Sequence, residues 1–180
     1  MSNDSLGVAL SSDTVRLERV LPGPIERVWS YLTDSDLRGQ WLASGKMDLR
    51  VGGQVELNFM HATLSPQPEK VPEQYRGMER GHRMQGRITR IDEPRLLSYS
   101  WGESAGESEV TFELTPQGKD VLFVITHRKL PSRDEMLNTA GGWHTHVGIL
   151  IDRLNGRTPP GFWTRFTQLR AQYEQKLPQQ

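Results

Sequence analysis

The sequence predicts an α+β fold: one curved antiparallel sheet of about seven strands wrapped around a long C-terminal helix. Three observations predict it. Short stretches with alternating apolar residues recur from residue 14 to residue 128. Turn-formers such as "DEP", "GESAGE" and "PQGKD" separate the later ones, which argues for antiparallel neighbours. After "LPSRDEM" the period becomes helical, and the late helix is the main element able to cover the sheet's apolar face.

The elements follow in order. Residues 1–12 are small and polar and are expected to form a flexible tail, with a single domain over 13–177. "TVRLERVL" is a strand, with Val15, Leu17 and Leu21 on one face and Arg16 and Glu18 opposite. Pro24 suits the first position of a helix, because its missing amide proton has no partner there. Ile25, Val28, Trp29 and Leu32 then keep helical spacing, and a second short helix follows with Asp34 or Ser35 as its cap. Met47, Leu49 and Val51 alternate before Gly52-Gly53, and Val55, Leu57 and Phe59 after it, so a hairpin is expected. Residues 61–81 keep no period and hold several prolines; they read as a long loop inserted between strands. Four more strands carry Met84, Gly86 and Ile88; Leu97, Tyr99 and Trp101; Val110, Phe112 and Leu114; and Val121, Phe123, Ile125 and His127. Trp143, Val147, Leu150 or Ile151, and Leu154 mark the late helix, placed at about 141–156, with Gly156 as its stop. Phe162, Phe166, Leu169 and Tyr173 mark a last helical stretch.

Composition excludes several classes. The 180 residues suffice for one domain with a sizeable core. No cysteine is present, so disulfides and thiolate chemistry are absent. With 22 basic and 22 acidic residues there is no cationic field for a phosphate backbone, and nucleic acid is not an expected partner. No apolar run approaches the roughly 20 residues of a membrane span, and the N-terminus lacks a signal pattern, so a cytoplasmic location is expected.

The histidines decide whether chemistry is expected. His144 and His146 in "GGWHTHVGIL" stand two apart, which on a helix separates them by about 200°. They cannot share one metal ion, no HExxH spacing occurs, and no metal or cofactor is expected. His61 and His82 flank the loop. His127 shares the inward parity of Phe123 and Ile125, with Tyr99 and Trp101 in equivalent phase two strands earlier. It is the single candidate for a catalytic base, although no carboxylate is paired with it; the bland alternative is a hydrogen bond at the rim of the sheet. No Gly-x-Ser-x-Gly elbow or phosphate loop is present.

Five stretches carry a family likeness: "PGPIERVWSYLTDSDLRGQWL", "MDLRVGGQVELNF", "GRITRIDEPRLLSYSW", "VTFELTPQGKDVLFVITHRKL" and "GGWHTHVGILIDRLNG". Over about residues 14–156 the chain resembles the START-like helix-grip (SRPBCC) superfamily, and within it the branch named for the activator of the 90-kDa heat-shock protein ATPase. The 61–81 loop and the segment after Gly156 depart from a compact member. The resemblance implies a cavity between sheet and helix, and the loop is placed over its entrance. Trp29, Trp41, Phe59, Met84, Tyr99 and Trp101 are the expected lining from the helices and first strands. Phe112, Phe123, His127, Trp143, Val147 and Leu150 complete it. Fold likeness does not settle function. The leading expectation is binding of an apolar small molecule, lipid-like or polyketide-like. The alternatives are a cyclase or hydratase using His127, and a cochaperone-like domain acting on a chaperone ATPase. Unpaired sheet edges also allow a homodimer.

Overall fold

The computed structural model describes residues 3–177 and 179. Seven strands form the sheet: β1 (Val8–Ser11), β2 (Thr14–Pro22), β3 (Gln54–Phe59), β4 (His82–Asp92), β5 (Leu96–Ser100), β6 (Glu109–Gln117) and β7 (Asp120–Arg128). Four α-helices accompany them: α1 (Ile25–Thr33), α2 (Ser35–Gly39), α3 (Arg133–Leu154) and α4 (Phe162–Lys176). The strand order is β1-β2-β7-β6-β5-β4-β3, every neighbour antiparallel. The chain thus closes the sheet around α3 in the α+β helix-grip arrangement the sequence predicts.

Register explains which residues meet. On β7, Ile125 lies opposite Leu17 of β2 and Phe112 of β6, and His127 lies opposite Val15 and Val110. Tyr99 of β5 lies opposite both Ile88 and Val110. These residues share the inner face, and α3 covers them with Trp143, Val147, Leu150 and Leu154, at helical spacing i, i+4, i+7 and i+11. Ser132 starts α3 by accepting from the Glu135 amide at 3.2 Å. Gly156, at φ 68°, takes the left-handed turn that ends it.

Several local expectations are corrected. Residues 8–11 are not a loose tail: they form β1, which pairs with β2. Met1 and Ser2 lie outside the described residues. Pro24 caps α1 from just outside rather than starting it. Residues 47–51 do not form a strand. Single bridges join Ser44 to Asn58 and Met47 to Val55, and Leu49 and Val51 are exposed. A turn wins there: the Arg50 amide bonds the Asp48 carbonyl, the Gly53 amide bonds the Arg50 carbonyl, and the Arg50 guanidinium clasps the Asp48 carboxylate at 2.6 Å. Of the two caps expected for α2, Asp34 serves as the sequence allows, accepting from the Leu37 amide at 3.0 Å. Helix α3 begins eight residues before the predicted start, because Ser132, Asp134 and Glu135 suit a helix N-terminus.

Arg19 is the largest departure from the expected pattern. It shares the inward phase of Leu17 and Leu21 and is only 2% exposed. Its guanidinium donates to the Glu18 and Ser5 carbonyls and, at 3.0 Å, to Nε2 of His144. Arginine only donates, so neutral His144 carries its proton on Nδ1 and gives it to the Tyr173 hydroxyl at 2.9 Å. That hydroxyl also accepts from the Gly7 amide at 2.7 Å. One buried chain therefore ties the N-terminal segment, β2, α3 and α4 together.

Candidate ligand-binding site

A cavity of about 390 Å³ lies where the ends of β3, β5 and β7 meet α3, α4 and the 61–81 loop. Phe59, Trp101 and His127 form its sheet side; Asn138, Gly142, Trp143 and His146 come from α3. Phe162, Trp163 and Phe166 come from α4, and His61, Tyr75 and Met78 from the loop. The volume is of the size that small-molecule sites take, and the wall is mostly aromatic with few polar points.

The segments that depart from a compact domain build this wall. The loop carries two short 3-10 turns, His61–Thr63 and Glu73–Met78. Tyr75 from the second stacks on Trp163 with ring centres 5.1 Å apart, and its hydroxyl donates to the Asn138 side-chain oxygen at 3.0 Å. Glu69 caps α4 by accepting from the Trp163 and Thr164 amides at 2.7 and 3.0 Å. Helix α4 crosses α3 at Gly141, where a Cβ would make ordinary contacts, 3.4 Å from Phe166 Cε2 and 3.5 Å from the Arg170 Cα. Loop and α4 thus cover the cavity together, as one packed unit.

His127 is held at both nitrogens. The Trp143 indole Nε1–H donates to its Nδ1 at 3.0 Å. An indole nitrogen only donates, so the neutral ring carries its proton on Nε2 and gives it to Ser108 Oγ at 2.8 Å. Burial drives the pKa down to about 3, with the Glu109 charge pulling weakly the other way. No lone pair is left to take a proton from a substrate. In this structure His127 fixes Trp143 against the sheet.

The two histidines of "WHTH" face different surroundings, as their spacing implies. His144 meets Arg19 and Tyr173, whereas Nδ1 of His146 meets the Trp41 carbonyl at 2.7 Å. His61 is 6% exposed, stands 5.5 Å from the His146 ring and 4.3 Å from Phe162, and its Nδ1 has no partner. Burial lowers His61 to about 4, and burial plus the neighbouring His61 lowers His146 to about 3, so both rings are neutral at pH 7. Among the described residues, no set of three His, Asp or Glu side chains is arranged to hold a metal ion.

Of the residues expected to line a cavity, the structure brings Phe59, Trp101, His127 and Trp143 together around this one. Trp101 meets Trp143 edge-on at 5.4 Å and His127 at 5.5 Å. Trp29, Trp41, Tyr99, Phe112, Phe123, Val147 and Leu150 are buried in the continuous core beneath, where α1, the sheet and α3 meet, and Met84 packs at its edge. The α4 aromatics, His61 and Tyr75 were not anticipated. Phe162 and Phe166 carried a helical period, but nothing in that period says which neighbour they cover.

A curved antiparallel sheet gripping a long helix, with an aromatic cavity at one end, defines a helix-grip domain. The chain belongs to the family described as activator of Hsp90 ATPase homolog 1-like proteins, whose family model matches residues 22–155. A Bordetella parapertussis protein solved by NMR is similar at 43% identity, over 96% of this chain and 91% of its own, with a TM-score of 0.79. CalU16 from Micromonospora echinospora shares the fold at 21% identity, over 90% of this chain and 86% of its own, with a TM-score of 0.65. A conserved protein of unknown function from Enterococcus faecalis shares it at 18% identity, over 94% and 88% of the two chains, with a TM-score of 0.65. No curated protein matches the chain. No helix among the described residues is long and apolar enough to cross a membrane.

Proposed function

We propose that the protein binds an apolar, ring-containing small molecule in the cavity between the sheet end, α3 and α4. The observation that carries this reading is the cavity wall: aromatic side chains from four separate parts of the chain meet around about 390 Å³ of space. Stacked and edge-on rings offer flat apolar surfaces at low entropic cost, and burying a ring against them is favourable at about 25 cal/mol per Å² of apolar area. The catalytic alternative is disfavoured by the double hydrogen bonding of His127.

Titration with hydrophobic fluorescent probes tests the reading. Trp101, Trp143 and Trp163 line the cavity, so a bound probe quenches or shifts tryptophan emission and raises the melting temperature. A panel of such probes that changes neither would overturn it.

A further inference from the structure

The chemistry of the cavity's polar end narrows the ligand class, resting on the ligand-binding reading above. Among the described residues, no lysine or arginine lines the cavity, and Glu135 is the one acidic side chain in its wall. A carboxylate or phosphate ligand would meet no lysine or arginine there and would share the wall with a carboxylate. Its polar groups are the Tyr75 hydroxyl, the side chains of Glu135, Asn138 and Thr139, and four imidazoles, of which His61 and His146 face one another and are neutral at pH 7. A carbonyl only accepts, so the bond between His146 Nδ1 and the Trp41 carbonyl places that ring's proton on Nδ1 and leaves a lone pair on Nε2. Across from it, His61 Nδ1 is buried and met by nothing, so only the Nε2 edge of that ring remains for a ligand. The two rings stand 5.5 Å apart. One oxygen making hydrogen bonds of about 2.8 Å to both rings needs their nitrogens no more than about 5.6 Å apart, which ring centres at 5.5 Å permit.

We infer that the cavity takes a neutral ring compound bearing a hydroxyl group, whose oxygen lies between His61 and His146. A hydroxyl is suited to this pair because it donates to the lone pair of one imidazole while accepting from the other. The apolar body of the ligand then lies along Phe162, Trp163 and Trp101.

Chemical-shift titrations of ¹⁵N-labelled protein at about pH 7, where the carboxylate probe is ionised, test this with three probes of one shape: naphthalene, 2-naphthol and 2-naphthoate. The expected result is 2-naphthol binding roughly three- to tenfold more tightly than naphthalene, the gain of one or two neutral hydrogen bonds, with 2-naphthoate weaker than 2-naphthol. His61→Phe keeps an aromatic ring beside Phe162 and is expected to bring the ratio of 2-naphthol to naphthalene affinity close to one. Equal affinity for naphthalene and 2-naphthol, or 2-naphthoate binding as well as 2-naphthol, overturns the inference and leaves the ligand-binding reading standing. Failure of naphthalene and 2-naphthol alike to bind defeats both. The wild-type comparison decides the matter whether or not the variant folds.

Discussion

The indole of Trp143 donates to Nδ1 of His127 across 3.0 Å, from the middle of α3 to the end of β7. This bond anchors the gripped helix to the sheet at the cavity floor, and Ser108 completes it at Nε2. Replacing the indole by a ring without a donor leaves a buried imidazole nitrogen unpaired. Trp143→Phe is therefore expected to cost about 2–4 kcal/mol, combining that unmet acceptor with a lost ring edge. Urea unfolding measures it; a change below about 0.5 kcal/mol would contradict the anchoring role.

The Arg19–His144–Tyr173 chain makes a separate prediction. Tyr173→Phe removes the hydroxyl that takes the His144 proton and the Gly7 amide proton. The expected loss is about 1–3 kcal/mol, with faster hydrogen exchange at the Gly7 amide and little change in cavity binding. Unaltered exchange at Gly7 would show that the segment before β1 is held by other contacts.

Acid should unfold the protein steeply. His61 is lowered to about 4 and His127, His144 and His146 to about 3, in each case chiefly by burial. In the unfolded chain a histidine takes a proton near pH 6.5. Depressed folded values mean that the unfolded state binds more protons below that point, so the stability present above about pH 6.5 drains away as the pH falls toward 3–4. Four such groups together give a slope of up to about 5 kcal/mol per pH unit. A domain of ordinary stability then unfolds at roughly pH 4–5.5. Circular dichroism across pH 7 to 3 tests this, and a fold whose urea midpoint is unchanged between pH 7 and pH 5 would contradict it.

Glu69 governs the cover of the cavity. Its carboxylate accepts from the first amides of α4 and from the Thr164 hydroxyl. Glu69→Ala is expected to cost about 1 kcal/mol and to loosen the loop over Tyr75 and Met78. Proteolysis within 66–80 should speed up several-fold while the sheet's exchange protection is unchanged; equal cleavage rates would mean that Tyr75, Val71, Met78 and the Ser65–Pro159 bond hold the loop without Glu69.

Much of this arrangement was legible in the sequence. Period-two runs placed the strands, and the helical spacing of Trp143, Val147, Leu150 and Leu154 placed the gripped helix. The inward parity of His127 was legible too, but its partners were not: Ser108 and Trp143 reach it only through the register of β6 with β7 and the docking of α3. Arg19 sat in the apolar phase of β2 all along; its charge argued for the surface, and only the carbonyls of Ser5 and Glu18 and the ring of His144 make an inward arginine tolerable. Alternation over 47–51 suggested a strand, yet the Asp48–Arg50 clasp and the following glycines turned the chain. The α4 wall stayed hidden because helix periodicity reports a buried face without naming what it faces.

Gly142 offers the most direct test of the central claim that the cavity is a binding site. It lies on α3 in the cavity wall, and a Cβ built there meets nothing within 4 Å. Gly142→Ala should be neutral or stabilising by up to about 1 kcal/mol, since alanine favours a helix interior. Gly142→Leu should fill the space that a ligand would use. The measurement is calorimetric titration of 2-naphthol into wild-type, Gly142→Ala and Gly142→Leu protein with matched melting curves. Saturable binding to wild type that weakens at least roughly tenfold in a folded Gly142→Leu variant is the predicted result. Equal binding by wild type and Gly142→Leu, or none to wild type, would contradict it.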